Sequence, residues 1–244
     1  MMDSPLTQAV PARQAQPHSQ TLSRGIHTLE ILADADAAMS IAELAAALGV
    51  HRSIAYRILR TLEDHGLVRR DAAGRIELGP GMAVLARGVS RDLQAAALPE
   101  LTAVANELAM TAFIAVLDHN QCVTLVTVEP RRAHASVAQH PGTRHPLATG
   151  APGIAIQSAL TEVQWRATGA QTPPRAEAIA ARDRGYATSH DEVIAGVSAV
   201  AVPLTAIGQA PAALAVVYPS HPTDQDAIGH RLGQAAATIL NALS

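Results

Sequence analysis

The chain has 244 residues, of which 48% are hydrophobic and 16% charged, with a formal net charge of -3. That balance allows two modest domains with cores of their own and excludes a bulk polycation, and Cys122, the single cysteine, excludes a disulfide framework. No apolar run is long enough to span a bilayer and the first twenty residues lack a signal-peptide core, so a cytoplasmic protein without a membrane partner is expected.

All 18 basic residues are arginine, and they concentrate between Arg52 and Arg75. Residues 1–20, rich in Pro, Gln, Ala and Ser, read as a disordered arm. A first helix is expected over Ser23–Asp34, with Ile26, Leu29, Ile31 and Leu32 inward. Ser40 and Glu43 have the spacing of a capping box, and Ile41, Leu44, Ala45 and Leu48 follow at helical spacing. Gly49 marks a turn. A second helix then buries Ile54, Ile58, Leu59 and Leu62 and turns Arg52, Ser53, Tyr56, Arg57 and Arg60 outward. Helix, glycine turn and arginine-faced helix are the layout of a DNA-reading helix-turn-helix. Leu67–Arg70 and Arg75–Leu78 read as strands around an Asp71–Gly74 turn, a hairpin placed as a wing.

This arrangement has a definite chemistry. An arginine can donate two hydrogen bonds to guanine O6 and N7, or hold a phosphate. Arg52, Ser53, Tyr56 and Arg57 are the expected reading residues, with Arg70 and Arg75 on the wing. Arg57 either contacts DNA or buttresses the fold through an acidic partner. A domain of this size reads few base pairs, so two copies on a near-palindromic double-stranded operator are expected.

Gly79-Pro80-Gly81 breaks the chain, and Met82–Val89 then reads as a connecting helix. Leu93–Met110 is a longer helix, with Pro99 marking a kink or a fresh start. From Thr111 the period changes to two. Strands are expected over Phe113–Leu117, Cys122–Val128, Ala133–Gln139, Tyr186–Ser189, Val197–Leu204 and Ala212–Tyr218. His140–Thr149 reads as a loop. Helices are expected over Ala151–Leu160, Arg175–Arg184 and Asp224–Leu243. Antiparallel strands flanked by helices make an α+β fold.

The ordered segments SRGIHTLEIL, SIAELAAALGVHRSIAYRILRTLEDHGLVRR, GRIELG, GTRHPLATGAPGIAI and RGYATSHDEVIAGVSAVAVPL resemble the IclR family of bacterial transcriptional regulators. The resemblance covers nearly all of the chain after the arm. It implies an N-terminal winged helix-turn-helix over residues 21–80, a linker helix over 81–92 and a GAF-like effector-binding and oligomerisation domain over 93–244. It also implies a homodimer or homotetramer and a small organic effector. The chain departs from the family at Pro152-Gly153-Ile154, where Gly-Lys-Ala is usual, and has Ala199, Ala215 and Val217 where some members place polar effector contacts.

Thr149, Gly150 and Ala151 lead into a helix whose free amides and dipole favour a carboxylate, although a tight loop-to-helix junction has the same sequence. With the resemblance, an organic acid is expected here, near Ser189 and Glu192 and with its body against Val197, Ala199, Ala215 and Val217. Ser189 and Glu192 either contact it or satisfy backbone groups. No pair among His119, His134, His140, His145 and His190 has a strong zinc spacing, so no metal is expected, and no cofactor. Nucleophile elbow, P-loop and dinucleotide fingerprint are absent, and Cys122 in an apolar strand reads as a core thiol. The expected function is therefore an effector-modulated repressor or activator. An enzyme of GAF-like fold fused to a DNA-binding domain and an architectural DNA-binding protein are the alternatives.

Overall fold

The protein is described here from a computed structural model covering residues 19–132, 137–170, 172–206 and 208–244. It parts into two units between Val89 and Ser90. The arm assigned to residues 1–20 lies outside the described residues as far as residue 18. Ser19 is the N-cap of helix α1 (Gln20–Asp34), which therefore starts three residues earlier than the apolar pattern indicated.

The first unit continues with α2 (Ile41–Ala47), where both halves of the Ser40/Glu43 capping box are formed. Gly49 takes φ +63°, the left-handed conformation that ends α2 and starts the turn. Helix α3 (Arg52–Asp64) is capped by His51, whose ring nitrogen accepts from the Ser53 amide. Strands β1 (Val68–Arg70) and β2 (Ile76–Leu78) pair antiparallel. Their turn is held by the Asp71 carboxylate, which accepts from the amides of Ala73 and Arg75 at 2.9 and 2.8 Å. Met39 bridges to Ile76, so the wing is fastened to the chain entering α2. Leu32, Leu44, Ile58, Leu59, Leu62, Val68 and Ile76 form one core. Each large side chain fully buried there stabilises the unit by about 1.5–3 kcal/mol.

Helix α4 (Gly81–Ala86) ends earlier than the linker helix drawn over 81–92. Ser90 adopts φ 44°, ψ 43°, which no helix interior tolerates, and α5 (Arg91–Leu108) begins after it. Pro99 lies inside α5 without ending it.

In the second unit β3 (Thr111–Asp118) and β4 (Gln121–Val128) form a hairpin. The strand expected over 133–139 is not formed at 137–139, and 133–136 lie outside the described residues. Instead β5 (Arg144–Pro146), inside the stretch read as a loop, pairs with β4. There follow α6 (Gly150–Ala159), α7 (Glu162–Ala167), α8 (Ala176–Arg184), β6 (Ala187–His190), β7 (Val197–Leu204), β8 (Ala212–Pro219) and α9 (Gln225–Ala242). The described strands of this unit form one antiparallel sheet in the order β5-β4-β3-β8-β7-β6.

Both faces of this sheet are covered. Leu214, Val216, Val200 and Val202 join Leu101, Val104, Leu232 and Ile239 of α5 and α9 in one core. The alternate residues Ala199, Ala201, Ala213 and Ala215 face α6 and α8 in the other. These alanines explain why α6 is buried along nearly its whole length: small side chains on the sheet let the helix backbone approach. Packing of α6, rather than a wide cavity, is what Ala215 provides.

Candidate functional site

The first site is the outer face of α3. Arg52, Ser53, Tyr56, Arg57 and Arg60 are all exposed there, Tyr56 with half of its surface open. The side chains of Arg52, Arg57 and Arg60 form no ion pair among the described residues. The acidic buttress considered for Arg57 is therefore not made. Ser53 is drawn toward the cap, with its hydroxyl 2.9 Å from the His51 ring nitrogen.

The wing arginines differ. Arg70 pairs with Glu63 of α3 at 2.7 Å, and Arg69 pairs with Glu77 at 2.7 Å. Arg75 donates to the Ala38 carbonyl at 2.5 Å and pairs with Glu43 at 3.3 Å. Arg70 and Arg75, read from sequence as phosphate contacts, thus brace the wing against α3 and α2.

The second site is the start of α6. Thr149 is its N-cap but offers no side-chain cap, and its hydroxyl bonds instead to the Pro146 carbonyl. Two of the four orphan amides are met from β6 and the turn after it. The Gly150 N–H donates to Glu192 Oε2 and the Ala151 N–H to Ser189 Oγ, both at 2.9 Å. Glu192 also accepts from Arg175 at 2.5 and 3.2 Å, a two-pronged contact. Arg175 is held in turn by Glu177 and the Ala148 carbonyl, and its backbone N–H donates to the buried Gln157. Burial alone would raise the Glu192 carboxyl. Arg175 and the Gly150 amide outweigh it and hold the group below the usual carboxylate range.

Next to this junction lies a cavity of about 40 Å³. Of the residues expected around an effector, Gly150, Ser189, Glu192, Val197, Ala199 and Val217 line it. Thr149, Ala151 and Ala215 do not. Phe113, Gln139, His145, Pro152, Val193 and Ile194 line it without having been singled out. Phe113 could have been found from the alternation along β3, but His145 depended on the unforeseen β5. His145 is buried, and burial lowers its pKa although carbonyls at Pro146 and Thr149 accept from the ring. Its stabilising contribution is thus present above the unfolded value of about 6.5 and lost as pH falls through and below it. Melting temperature is expected to fall from pH 7.5 to pH 5.5, and to fall less in His145→Phe; equal slopes would assign the loss elsewhere.

Cys122 is fully buried and its thiol is pushed up to about 12, so it is an inert core group. Among the described residues no cluster of three or more His, Cys, Asp or Glu side chains could hold a metal ion. No described helix is long and apolar enough to cross a membrane.

A winged helix whose α3 arginines form no ion pair among the described residues, carried on the same chain as a helix-flanked antiparallel sheet with a small cavity, defines a DNA-binding transcriptional regulator. The IclR helix-turn-helix domain matches residues 21–72 and the bacterial transcriptional regulator IclR C-terminal domain matches residues 88–241. The chain belongs to the IclR family. It is 31% identical over 216 residues to the HTH-type transcriptional regulator Rv1719 of Mycobacterium tuberculosis, covering 82% of this chain and 83% of that protein. Against the transcriptional repressor IclR of Escherichia coli it is 28% identical over 160 residues, 64% of this chain and 58% of the repressor. Among solved structures, the IclR transcriptional regulator from Alicyclobacillus acidocaldarius superposes with a TM-score of 0.78 at 26% identity, covering 93% of this chain and all of that one. An IclR homologue from Microbacterium hydrocarbonoxydans, complexed with 4-hydroxybenzoate, has the same fold, with a TM-score of 0.79 at 23% identity over 92% of this chain and 99% of its own.

Proposed function

We propose that the chain works as a homodimer or homotetramer on a near-palindromic operator, and that a small organic acid changes its DNA affinity. DNA is read by Arg52, Ser53, Tyr56 and Arg57, while Arg70 and Arg75 present the wing to phosphates. The effector's carboxylate sits at the amides that open α6 and its apolar body against Phe113, Val197, Ala199 and Val217. The observation that carries this reading is the convergence of the Gly150 amide and the Arg175 guanidinium on one carboxylate position beside a largely apolar cavity, with the next amide, of Ala151, held by the Ser189 hydroxyl. The 4-hydroxybenzoate bound by the Microbacterium hydrocarbonoxydans homologue is of the same chemical class. The protein has no catalytic role in this reading, and it acts in the cytoplasm where its operator lies.

A thermal-shift series with monocarboxylic aliphatic and aromatic acids tests it, followed by operator binding with each acid that raises the midpoint. At least one acid should both stabilise the protein and change its operator affinity. A series in which no acid does either removes the effector reading. The wing is tested separately. Arg70→Ala should weaken binding to all sequences alike and lower the salt slope by about one. Glu63→Gln, which frees Arg70, should have the opposite effect on affinity. Unaltered slopes in both would mean that the wing touches no phosphate.

A further inference from the structure

The cavity of about 40 Å³ has room for a water molecule or so. Sites for small organic ligands are typically about 300–1,000 Å³. An effector can therefore enter only if a wall moves. Most walls cannot move cheaply: Phe113, Ala199 and Val217 belong to the buried core between the sheet and α6. The segment between β6 and β7 is differently placed, outside that core.

That segment, Asp191–Gly196, has left-handed residues at both ends, Asp191 with φ 57° and Gly196 with φ 75°. Between them Val193 and Ile194 line the cavity while remaining 49% and 44% exposed, so lifting them away costs little burial. Beside each end the chain is anchored. His190 bonds to Ser198 at 3.0 Å, and the Ser220 amide donates to the Gly196 carbonyl at 2.8 Å. What fastens the middle to the body is Glu192, through the Gly150 amide and Arg175.

Resting on the acid-effector reading above, we infer that Asp191–Gly196 is a lid whose Glu192 carboxylate occupies the effector's place. A monocarboxylic acid with an apolar body opens the lid by displacing Glu192. The donors that hold Glu192 would hold any carboxylate, because they recognise charge and two-pronged oxygen geometry rather than the side chain behind it. Exchange of one carboxylate for another leaves those donors satisfied, whereas a neutral amide or alcohol gives up the charge-assisted bonds. The ligand's apolar body then takes the position of Val193 and Ile194 against Phe113 and Val217. A second carboxylate has no further cation to meet: beyond the Arg175 that holds the first, the described lining residues include no arginine, and burial disfavours the charged form of His145. This restricts the class to monoanions.

The test compares the full-length protein with Glu192→Ala and Glu192→Gln. Acetate and benzoate are the probes, with acetamide and benzamide as neutral controls. Binding is read by titration, and lid opening by hydrogen exchange of the amides in Asp191–Gly196. Benzoate should bind Glu192→Ala about tenfold or more tightly than the parent, with Glu192→Gln between them. Acetate should stabilise Glu192→Ala by occupying the vacated position, and neither amide should discriminate. Lid amides should exchange faster in Glu192→Ala without ligand, and in the parent on adding benzoate. Benzoate bound equally or less tightly by both variants would overturn the displacement while leaving the acid effector standing. Failure of the parent and both variants to bind either acid would remove the acid reading and the lid with it. Should Glu192→Ala fail to fold, Glu192→Gln decides alone.

Discussion

Arg52→Ala with Arg57→Ala is expected to remove most specific DNA binding and leave the fold intact. Both side chains project from the exposed face of α3 and have no carboxylate partner among the described residues. Their loss therefore orphans no buried group. Alanine also favours a helix interior, and the His51 cap does not involve either guanidinium. A good bidentate contact to guanine discriminates by about 1–3 kcal/mol, so the pair should lower specific affinity by roughly 30-fold to roughly 20,000-fold if the terms add. Non-specific affinity should fall much less. Footprinting and titration on operator and random DNA, with circular dichroism as a check on folding, measure this. A folded double variant with unchanged operator affinity would mean that another surface reads the bases.

Gly153→Ala should give a large loss of stability from a very small change. A Cβ on Gly153 would lie 2.3 Å from the Leu147 carbonyl oxygen and 3.1 Å from its carbon, and neither atom can swing aside as a side chain does. Helix α6 would have to back away from the loop, disturbing the alanine-lined seat and the amides that meet Glu192 and Ser189. The cost should be about 3 kcal/mol, at the upper end of overpacking. Gly233→Ala is the internal control: it lies in α9, with nothing within 4 Å of an added Cβ, and should stabilise by about 0.5–1 kcal/mol. Urea midpoints of the two variants should move in opposite directions. A Gly153→Ala midpoint equal to the parent would mean that α6 is more loosely seated than these contacts indicate.

The DNA-binding unit was legible because its signals are local. Ser40 and Glu43 sit in one turn, Gly49 fixes one φ, and the arginines of α3 follow a 3.6-residue period. Strands β7 and β8 were equally plain as apolar runs. Helix α7 was missed although Thr161 and Gln164 form the same capping box read at Ser40, because no apolar stripe followed it. Strand β5 was missed because three residues with proline and glycine nearby look like a loop, and only β4 makes them a strand. At the effector site the helix start at Thr149 could be read, and so could the choice facing Ser189 and Glu192 between contacting a ligand and satisfying backbone groups. What could not be read was which they do, since Glu192 meets Gly150 across 42 positions and Arg175 across 17. Long-range partners of this kind leave no periodicity behind. The same holds for Arg70 and Arg75, whose carboxylate partners lie on other elements.

Those braced wing arginines bear on how the protein searches a genome. Every phosphate that meets the wing competes with Glu63, Glu43 or Glu77 already in place. Neutralisation by the chain's own carboxylates lowers the number of counterions released on random DNA, and so weakens the sequence-independent part of binding. The operator must be found among about 10⁶–10⁹ competing sites, where dwell time on the wrong sequence matters as much as grip on the right one. On the proposed DNA-reading face, a wing partly shielded in this way would leave random DNA quickly and hold on where the arginines of α3 find their bases.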